Sequence, residues 1–226
     1  LIAAAEVLGL NTDYLYRSQD LPTDRYMAIE GSNGLIAAIA DAHSLEAAGD
    51  KILRPLADGR LGQAKQPFSG LIALDGNLTV GLLAQIAASP LFDRADLRIA
   101  PASPGKAERL LPLLGHPGAT LYVNVEEVEL ILGRDFSDAA AAASALVYRG
   151  ANRAVVTHGP KAAAKADVDG CVLALPPAVL ASRVTGAGDT FMAAHIAAEL
   201  RGAGALQALQ SASNAAAAYV SGKSEG

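Results

Sequence analysis

The chain has 226 residues, enough for one α/β domain with a substantial core; 51% of them are hydrophobic and none is tryptophan. A net charge of −5 without lysine–arginine clusters argues against a nucleic-acid-binding surface, and no apolar run approaches membrane-spanning length. The single cysteine, Cys171, excludes an internal disulfide, favours a reducing, cytoplasmic compartment, and is expected to be a small core residue.

The first residues have the pattern of a helix end. Residues 1–8 show helical apolar spacing that Gly9 ends, and no capping residue precedes them. Because Leu1 is not an initiator residue, we expect residues 1–226 to form a single domain whose N-terminal part is missing from the sequence.

Two short apolar runs, 25–30 and 35–40, are separated by the sequence GSNG and predict a β-hairpin over about 25–42. The Asn-Gly pair supplies the positive φ that a tight hairpin turn requires. Such a hairpin can be a lid over a substrate or an ordinary edge hairpin, and the spacing alone favours the edge hairpin.

From residue 70 onwards, short apolar strands alternate with helices. Strands are predicted at 70–75, 97–101, 120–124 and 153–157, and helices at 79–88, 106–114, 125–132 and 138–149. A second hairpin over 162–175 and helices at 190–200 and 206–220 complete the pattern. The alternation is typical of a mostly parallel sheet covered on both faces, which binds ligands beyond the carboxyl ends of its strands.

The turn before the helix at 190–200 has the sequence VTGAGD. Its small residues, Gly186, Ala187 and Gly188, let the backbone approach a ligand, and a helix start offers unpaired amides and a positive dipole end to a phosphate. Asp189 would lie in the first helical turn, where it could accept a proton from a substrate hydroxyl. A plain tight turn with an aspartate that favours the helix dipole explains the same sequence.

Asn124 and Glu127 follow the third strand of this series with the spacing of a capping box. An amide oxygen and a carboxylate at this edge of the sheet could also hold hydrated Mg²⁺ against nucleotide phosphates. The spacing alone favours the cap.

The sequence VTGAGDTFMAAH, at 184–195, resembles the C-terminal signature of the PfkB (ribokinase-like) carbohydrate and nucleoside kinases. Their Asn-x-x-Glu motif occurs upstream, at Asn124 and Glu127. The resemblance implies a ribokinase-like three-layer α/β/α sandwich with a mostly parallel sheet and a small hairpin lid. It also implies an enzyme that uses ATP and Mg²⁺, in which Asp189 is the catalytic base, the GAG amides form an anion hole, and the Asn-x-x-Glu pair organises the metal.

The resemblance further implies which residues bind the nucleotide. Thr157 and Gly159 resemble a Thr-x-Gly strand end that lies beside ATP, although Ala162 stands where the family has its usual next glycine. Thr185, in the same turn as the base, is assigned to the nucleotide as well. Asn214 matches a position that flanks the adenine, and a polar position on a surface helix explains it equally well.

Other segments are similar to pseudouridine kinases, namely the hairpin, LDGNL at 74–78 and PASPGKAERL at 101–110. They imply that Asp41 and Asn77 contact the ribose hydroxyls or the uracil, and that the 5′-hydroxyl of pseudouridine is phosphorylated. The alternatives are a sugar kinase of the same family, acting for instance on ribose or 2-keto-3-deoxygluconate, and a non-catalytic ligand-binding relative.

The chain departs from the family pattern in two respects. Arg183 stands where many members carry an aspartate that helps to bind a monovalent cation, so potassium activation by that route is not expected. The N-terminal Gly-Gly substrate motif is absent. Because lid hairpins of the family often pair between subunits, the expected partners are a second copy through the hairpin and a small-molecule nucleoside or sugar, but no nucleic acid or membrane.

Overall fold

The fold is built around a six-stranded sheet whose strands lie side by side in chain order. The computed structural model describes residues 1–31, 34–41 and 43–222. A separate antiparallel hairpin consists of β1 (Arg25–Gly31) and β2 (Gly34–Asp41). The central sheet consists of β3 (Leu71–Asp75), β4 (Asp96–Ala100), β5 (Ala119–Asn124), β6 (Arg153–Thr157), β7 (Ala163–Asp167) and β8 (Gly170–Ala174). Strands β3 to β6 are parallel, and β7 and β8 extend the sheet antiparallel.

Helices cover both faces of the central sheet. The α-helices are α1 (Ile2–Val7), α2 (His43–Ala48), α3 (Arg54–Ala57), α4 (Val80–Ala88), α5 (Val125–Leu132), α6 (Ala139–Tyr148), α7 (Ala187–Leu200) and α8 (Ala205–Val220). Short 3₁₀ helices span Gly49–Leu53, Pro90–Phe92 and Pro104–Leu113. A larger hydrophobic cluster joins the sheet to α4, α5 and α6, and a smaller one joins it to α7 and α8. The predicted three-layer α/β/α sandwich is therefore confirmed.

Neighbouring residues of the central strands belong to opposite layers. In β5, Leu121 and Val123 belong to the larger cluster, whereas Tyr122 between them belongs to the smaller one. In β6, Val156 belongs to the larger cluster and Val155 to the smaller one. Successive side chains of a strand point to opposite faces, so a sheet buried on both sides requires the unbroken apolar runs that the sequence shows here.

Most predicted elements lie within a few residues of their expected bounds, with four differences. The predicted helix at 106–114 is a 3₁₀ helix, since Pro112 lacks the N–H that an α-helix would use at that point. The pattern gives no prediction for 43–57, where α2 and α3 lie. Helix α7 begins at Ala187, three residues earlier than predicted. The prediction that Cys171 is in the core is wrong, because β8 is an edge strand and this residue is exposed on it.

The predicted hairpin is present and stands apart from the central sheet. Tyr26 is paired with Ala40, and Met27 with Ile39. Residues 32, 33 and 42 of the predicted 25–42 span lie outside the described residues. The carboxylate of Asp24 closes the base of the hairpin by accepting hydrogen bonds from the backbone N–H groups of residues 44 and 45 (2.9 and 3.0 Å).

Candidate active site

The turn before α7 has a left-handed backbone at Gly186, with φ of 89°. Glycine adopts this conformation without the steric cost that a Cβ brings. The carbonyl oxygen of Gly186 accepts hydrogen bonds from the N–H (3.0 Å) and the hydroxyl (2.8 Å) of Thr190, which fixes the start of the helix. Because α7 begins at Ala187, the residues at 187–189 all lie in its first turn, where amides lack intrahelical partners.

Asp189 lies on the exposed side of this first turn. Its carboxylate makes no hydrogen bond or ion pair with any residue that the structure describes, and its position at the helix start is favoured by the dipole. Of the amides beside it, that of Ala187 already donates to the carbonyl oxygen of Val184 (3.1 Å). An accessible, unengaged carboxylate at the first turn of a helix is the arrangement that a general base next to a phosphate site requires.

A cavity of about 680 Å³ lies beside the turn and the carboxyl end of β6. The segment after β6, with Thr157 and Gly159, forms one wall, and Ala187 and Gly188 form another. The remaining walls are most of the residues between 175 and 184 and one face of α8, including Ser213. The volume is in the range of small-molecule sites, and the position at the carboxyl edge of parallel strands is where such sheets bind ligands.

Asn124 ends β5 directly beside this cavity, since its Cα is paired with that of Thr157 across β5 and β6. It forms the predicted capping box with Glu127: the N–H of Glu127 donates to Asn124 Oδ1 (2.9 Å), and the N–H of Asn124 donates to Glu127 Oε2 (2.8 Å). Burial raises the pKa of Glu127 to about 7. The described residues contain no group of three or more acidic, histidine or cysteine side chains that could hold a metal ion directly.

The structure does not bring Asn214 into the lining of the cavity. Its side chain is exposed on α8 and accepts a hydrogen bond from Gln210 Nε2 (3.0 Å), whereas its neighbour Ser213 lines the cavity. Sequence reasoning missed Ser213, because adjacent helical residues differ by about 100° around the axis and the motif does not fix that rotation. It also missed the cavity wall at 175–181, which has no motif and no regular secondary structure.

The two predicted substrate residues lie away from this cavity. Asp41 ends β2, is exposed, and bonds to His43 Nδ1 (2.6 Å); that hydrogen bond holds the pKa of Asp41 below its usual value. Asn77 follows β3, where its backbone N–H donates to Asp75 Oδ1 (2.6 Å) and its side-chain oxygen accepts from Lys106 Nζ.

An ion pair links the two regions that carry these residues. Arg109 Nη1 contacts Glu46 Oε1 (3.0 Å) on α2 and donates to the carbonyl oxygen of Asn77 (3.1 Å). The segment that follows the hairpin is therefore tied to the end of β3. Neither Asp41, on the hairpin, nor Asn77, after β3, lines the 680 Å³ cavity.

Comparison with known proteins identifies the fold. A carbohydrate kinase from Agrobacterium tumefaciens superposes with a TM-score of 0.73 at 24% identity, covering 96% of this chain and 67% of that one. A PfkB protein from Polaromonas sp. JS666 gives 0.66 at 17% identity, with 99% and 76% covered. An adenosine kinase from Trypanosoma brucei brucei gives 0.70 at 17% identity, with 97% and 70% covered. None of the curated proteins compared with the sequence matched it.

The sandwich with its separate hairpin is the fold of the ribokinase-like phosphotransferases. The sequence profile described as "pfkB family carbohydrate kinase" matches residues 1–226, so the chain belongs to that family. Membership implies a carbohydrate-kinase type of enzyme that transfers a phosphoryl group to an alcohol. No helix in the described part of the chain is long and apolar enough to cross a membrane.

Proposed function

We propose that the protein transfers the γ-phosphoryl group of Mg·ATP to the primary hydroxyl of a nucleoside, with pseudouridine as the preferred acceptor and pseudouridine 5′-phosphate as the product. The observation that carries this proposal is the unengaged carboxylate of Asp189, in the first turn of a helix whose Ala187 and Gly188 line a cavity of about 680 Å³. A cavity of this size suits an adenine nucleotide.

The chain's own residues have the following roles in the proposal. Asp189 accepts the proton of the attacking hydroxyl, so that the oxygen can bond to phosphorus as the bond to ADP breaks. The amides of Gly186, Ala187 and Gly188 donate to the phosphoryl oxygens, where the negative charge is spread in the transition state. This role requires the N–H of Ala187 to leave the carbonyl oxygen of Val184, to which it donates in the structure (3.1 Å).

Thr157, Gly159 and Thr185 are the proposed nucleotide contacts. His158 lies between the first two, and its Nδ1 is buried without a hydrogen-bond partner in the described part of the chain. An unpaired polar atom in a cavity wall supports the presence of a polar ligand there. Asn214 is proposed at the adenine end, and a contact there requires its amide to leave Gln210.

Asn124 and Glu127 are the proposed metal-organising pair. Amide and carboxylate oxygens suit Mg²⁺, which keeps most of its water ligands, and both side chains are already engaged in the cap, so they would act through water. When bound, the cation neutralises charge on the phosphates. A cation nearby would also favour the ionised form of Glu127 over the neutral form that burial favours.

Asp41 and Asn77 are the proposed contacts to the acceptor. Their link through the Glu46–Arg109 ion pair supports a shared role, since it holds the hairpin side of the molecule to the end of β3. A sugar acceptor such as ribose or 2-keto-3-deoxygluconate is the alternative within the family, which the family description as carbohydrate kinase favours. A non-catalytic ligand-binding relative is the alternative of another class.

A coupled assay of ADP release separates these functions. The purified protein is supplied with Mg·ATP and, in turn, pseudouridine, uridine, adenosine, ribose and 2-keto-3-deoxygluconate. The highest kcat/KM with pseudouridine is expected. A higher value with a sugar would contradict the nucleoside proposal, and ligand binding without ADP release would support the non-catalytic alternative.

Replacing Asp189 by alanine should lower kcat by at least about a hundredfold, because general-base catalysis contributes roughly 10²–10⁴ to rate. The affinity for ATP should stay within about threefold, since this carboxylate is not needed to bind the nucleotide. ADP release and ATP titration measure the two effects. The control is Asp135→Ala, which changes an exposed aspartate after the C-terminal end of α5. Comparable turnover in Asp189→Ala and wild type would remove Asp189 from the mechanism.

A further inference from the structure

Tyr219, near the C-terminal end of α8, contacts the turn before α7 in two ways. Its hydroxyl donates a hydrogen bond to the carbonyl oxygen of Thr185 (2.8 Å). The same hydroxyl occupies the space beside Gly186, because a Cβ added there would lie 2.6 Å from it. The turn is thus packed against the hydroxyl of Tyr219, which lies 34 residues after Thr185 in the chain.

Arg183 in turn fixes the ring of Tyr219. Its guanidinium carbon lies 3.8 Å from the ring centroid, and its Nε donates to the carbonyl oxygen of Tyr219 (3.0 Å). A guanidinium at this distance is attracted by the ring face, and the hydrogen bond sets its orientation. The ring is therefore held on one face by a residue that itself precedes the turn.

A second set of contacts ties the same segment to α8. The carbonyl oxygen of Val220 accepts from the N–H of Ser182 (2.7 Å), from its hydroxyl (3.1 Å) and from the N–H of Arg183 (3.3 Å). The last carbonyls of a helix have no intrahelical donors, so they are free to serve in this way. Residues 182–186 are consequently attached to the end of α8 at several points, although they contain no regular strand or helix.

An anion site made of backbone amides works only if the amides already point at one place before the charge develops. Residues 175–185 are irregular, and most of them are exposed, so few packing contacts limit their motion. The contacts of Tyr219 and Arg183 act directly on the carbonyl and the glycine that precede the amides at 187 and 188. Together with the hydrogen bonds to the Val220 carbonyl, they limit movement of this turn relative to α8.

We propose that Tyr219 and Arg183 are positioning residues that hold the turn at 185–188 in the geometry needed for phosphoryl transfer. The inference rests on the proposed function of that turn. It assigns neither residue a contact with substrate or nucleotide.

The first test is kinetic. Tyr219→Phe removes the hydrogen bond to Thr185 and keeps the stacked ring, and kcat for ADP release should fall about fivefold to tenfold, the effect of one lost neutral hydrogen bond. KM for ATP and for the acceptor should change by less than about twofold, because the contact acts on the transition state. Arg183→Met should act similarly, and the double variant should lose less than the product of the single effects. Tyr148→Phe and Arg149→Met, both at exposed positions, are the matched controls.

The second test is hydrogen exchange of the peptide covering 183–190. Exchange should be faster in Tyr219→Phe than in wild type, while the peptide covering 205–215 and the melting temperature stay unchanged. Unchanged kcat and exchange would overturn the proposal, as would a lower melting temperature with faster exchange throughout α7 and α8, which would indicate a general structural role. If the wild type releases no ADP with any acceptor, the proposed function fails. Hydrogen exchange at 183–190 alone then decides whether Tyr219 and Arg183 hold the turn.

Discussion

Asn124 and Glu127 use the same atoms for a helix cap and for the proposed metal site. Each side chain accepts a backbone N–H of its partner, which the sequence spacing predicts and the structure contains. Burial raises the pKa of Glu127 to about 7, so a large fraction of this carboxyl is neutral near physiological pH. The two interpretations are compatible, because a hydrated cation can be bound through water while the cap persists.

Glu127→Gln tests the metal role without removing the cap. Glutamine at this position also completes a capping box, so the free energy of unfolding should change by less than about 1 kcal/mol. The Mg²⁺ concentration for half-maximal ADP release should rise roughly tenfold, as for other residues that orient a metal. The exposed neighbour, changed as Glu126→Gln, is the control. An unaltered Mg²⁺ requirement in Glu127→Gln would assign the residue to capping alone.

Residue positions can be predicted from the sequence where the motif is local and not where distant segments meet. The turn at Gly186 and Asp189 and the Asn124 cap follow from neighbouring residues, whose spacing fixes their geometry. That Ser213 and not Asn214 lines the cavity depends on the rotation of α8 against the sheet. The contact between Tyr219 and Thr185 depends on how two helices pack, which no local pattern specifies.

At the level of elements, the C-terminal half of α7 is attached to the sheet through a buried polar cluster. Arg98 of β4 donates to Tyr122 of β5 (2.9 Å) and to Glu199 of α7. The Tyr122 hydroxyl also shares a hydrogen bond with His195 Nδ1 (2.9 Å). The Nε2 of His195 has no partner in the described part of the chain.

His195 should make folding sensitive to acid. Burial lowers the pKa of His195 to about 4. The negative charge of Glu199 opposes this shift, and the positive charges of Arg98, Arg153 and Lys165 add to it. Between pH 6.5 and 4 the unfolded chain binds the additional proton, so stability is lost as the pH falls through this range. From pH 7.5 to 5 the wild type should lose about 2 kcal/mol more free energy of unfolding than His195→Gln.

Urea denaturation at the two pH values measures this difference. Glutamine can still accept the hydroxyl of Tyr122, so the variant should fold. His43→Gln is the control, and because the Asp41 carboxylate raises the pKa of this exposed histidine in the fold, the variant should lose at least as much as the wild type. Parallel losses in His195→Gln and wild type would show that another group causes the acid sensitivity.

Elements could be predicted where they are long and strongly periodic. The strands at 120–124 and 153–157 have apolar centres, LYV and AVV, and the structure places them within one residue of the predicted bounds. The short helices between 43 and 57 escape this reasoning, because each has only four to six residues and gives no sustained period. The 3₁₀ character of Pro104–Leu113 depends on Pro112, which the apolar spacing does not reveal.

At the scale of the whole molecule, the β1–β2 hairpin leaves large apolar side chains at the surface. Met27 and Ile39 are 63% and 69% exposed and are paired on one face, and Tyr26, on the other face, is 57% exposed. A two-stranded hairpin is marginally stable by itself, so covering one of its faces should stabilise it. We propose that a second copy of the chain covers it and forms the homodimer expected from the sequence.

Ile39→Lys should weaken this dimer, since it places a charge on the Met27 face. Sedimentation velocity at several protein concentrations should show a dimer for the wild type and a shift to monomer for the variant, with a dissociation constant raised at least about tenfold. Val168→Lys changes an apolar residue in the β7–β8 turn that is 84% exposed, and it serves as the control. A wild-type monomer at every concentration would contradict the homodimer.

Each strand of the central sheet after β3 pairs with the strand that precedes it in the chain, and this has a consequence for synthesis. A nascent chain leaving the ribosome can add β3 to β8 one at a time, each onto a partner already present, with short loop closures throughout. Arg98 can pair with Glu199 only after another 101 residues have been synthesised. The turn at 185–188 can contact Tyr219 only when α8 has been made. We therefore expect a ribosome-stalled chain that ends before residue 205 to have a formed sheet but to release no ADP. On the proposed function, kinase activity then begins only when α8 has been synthesised.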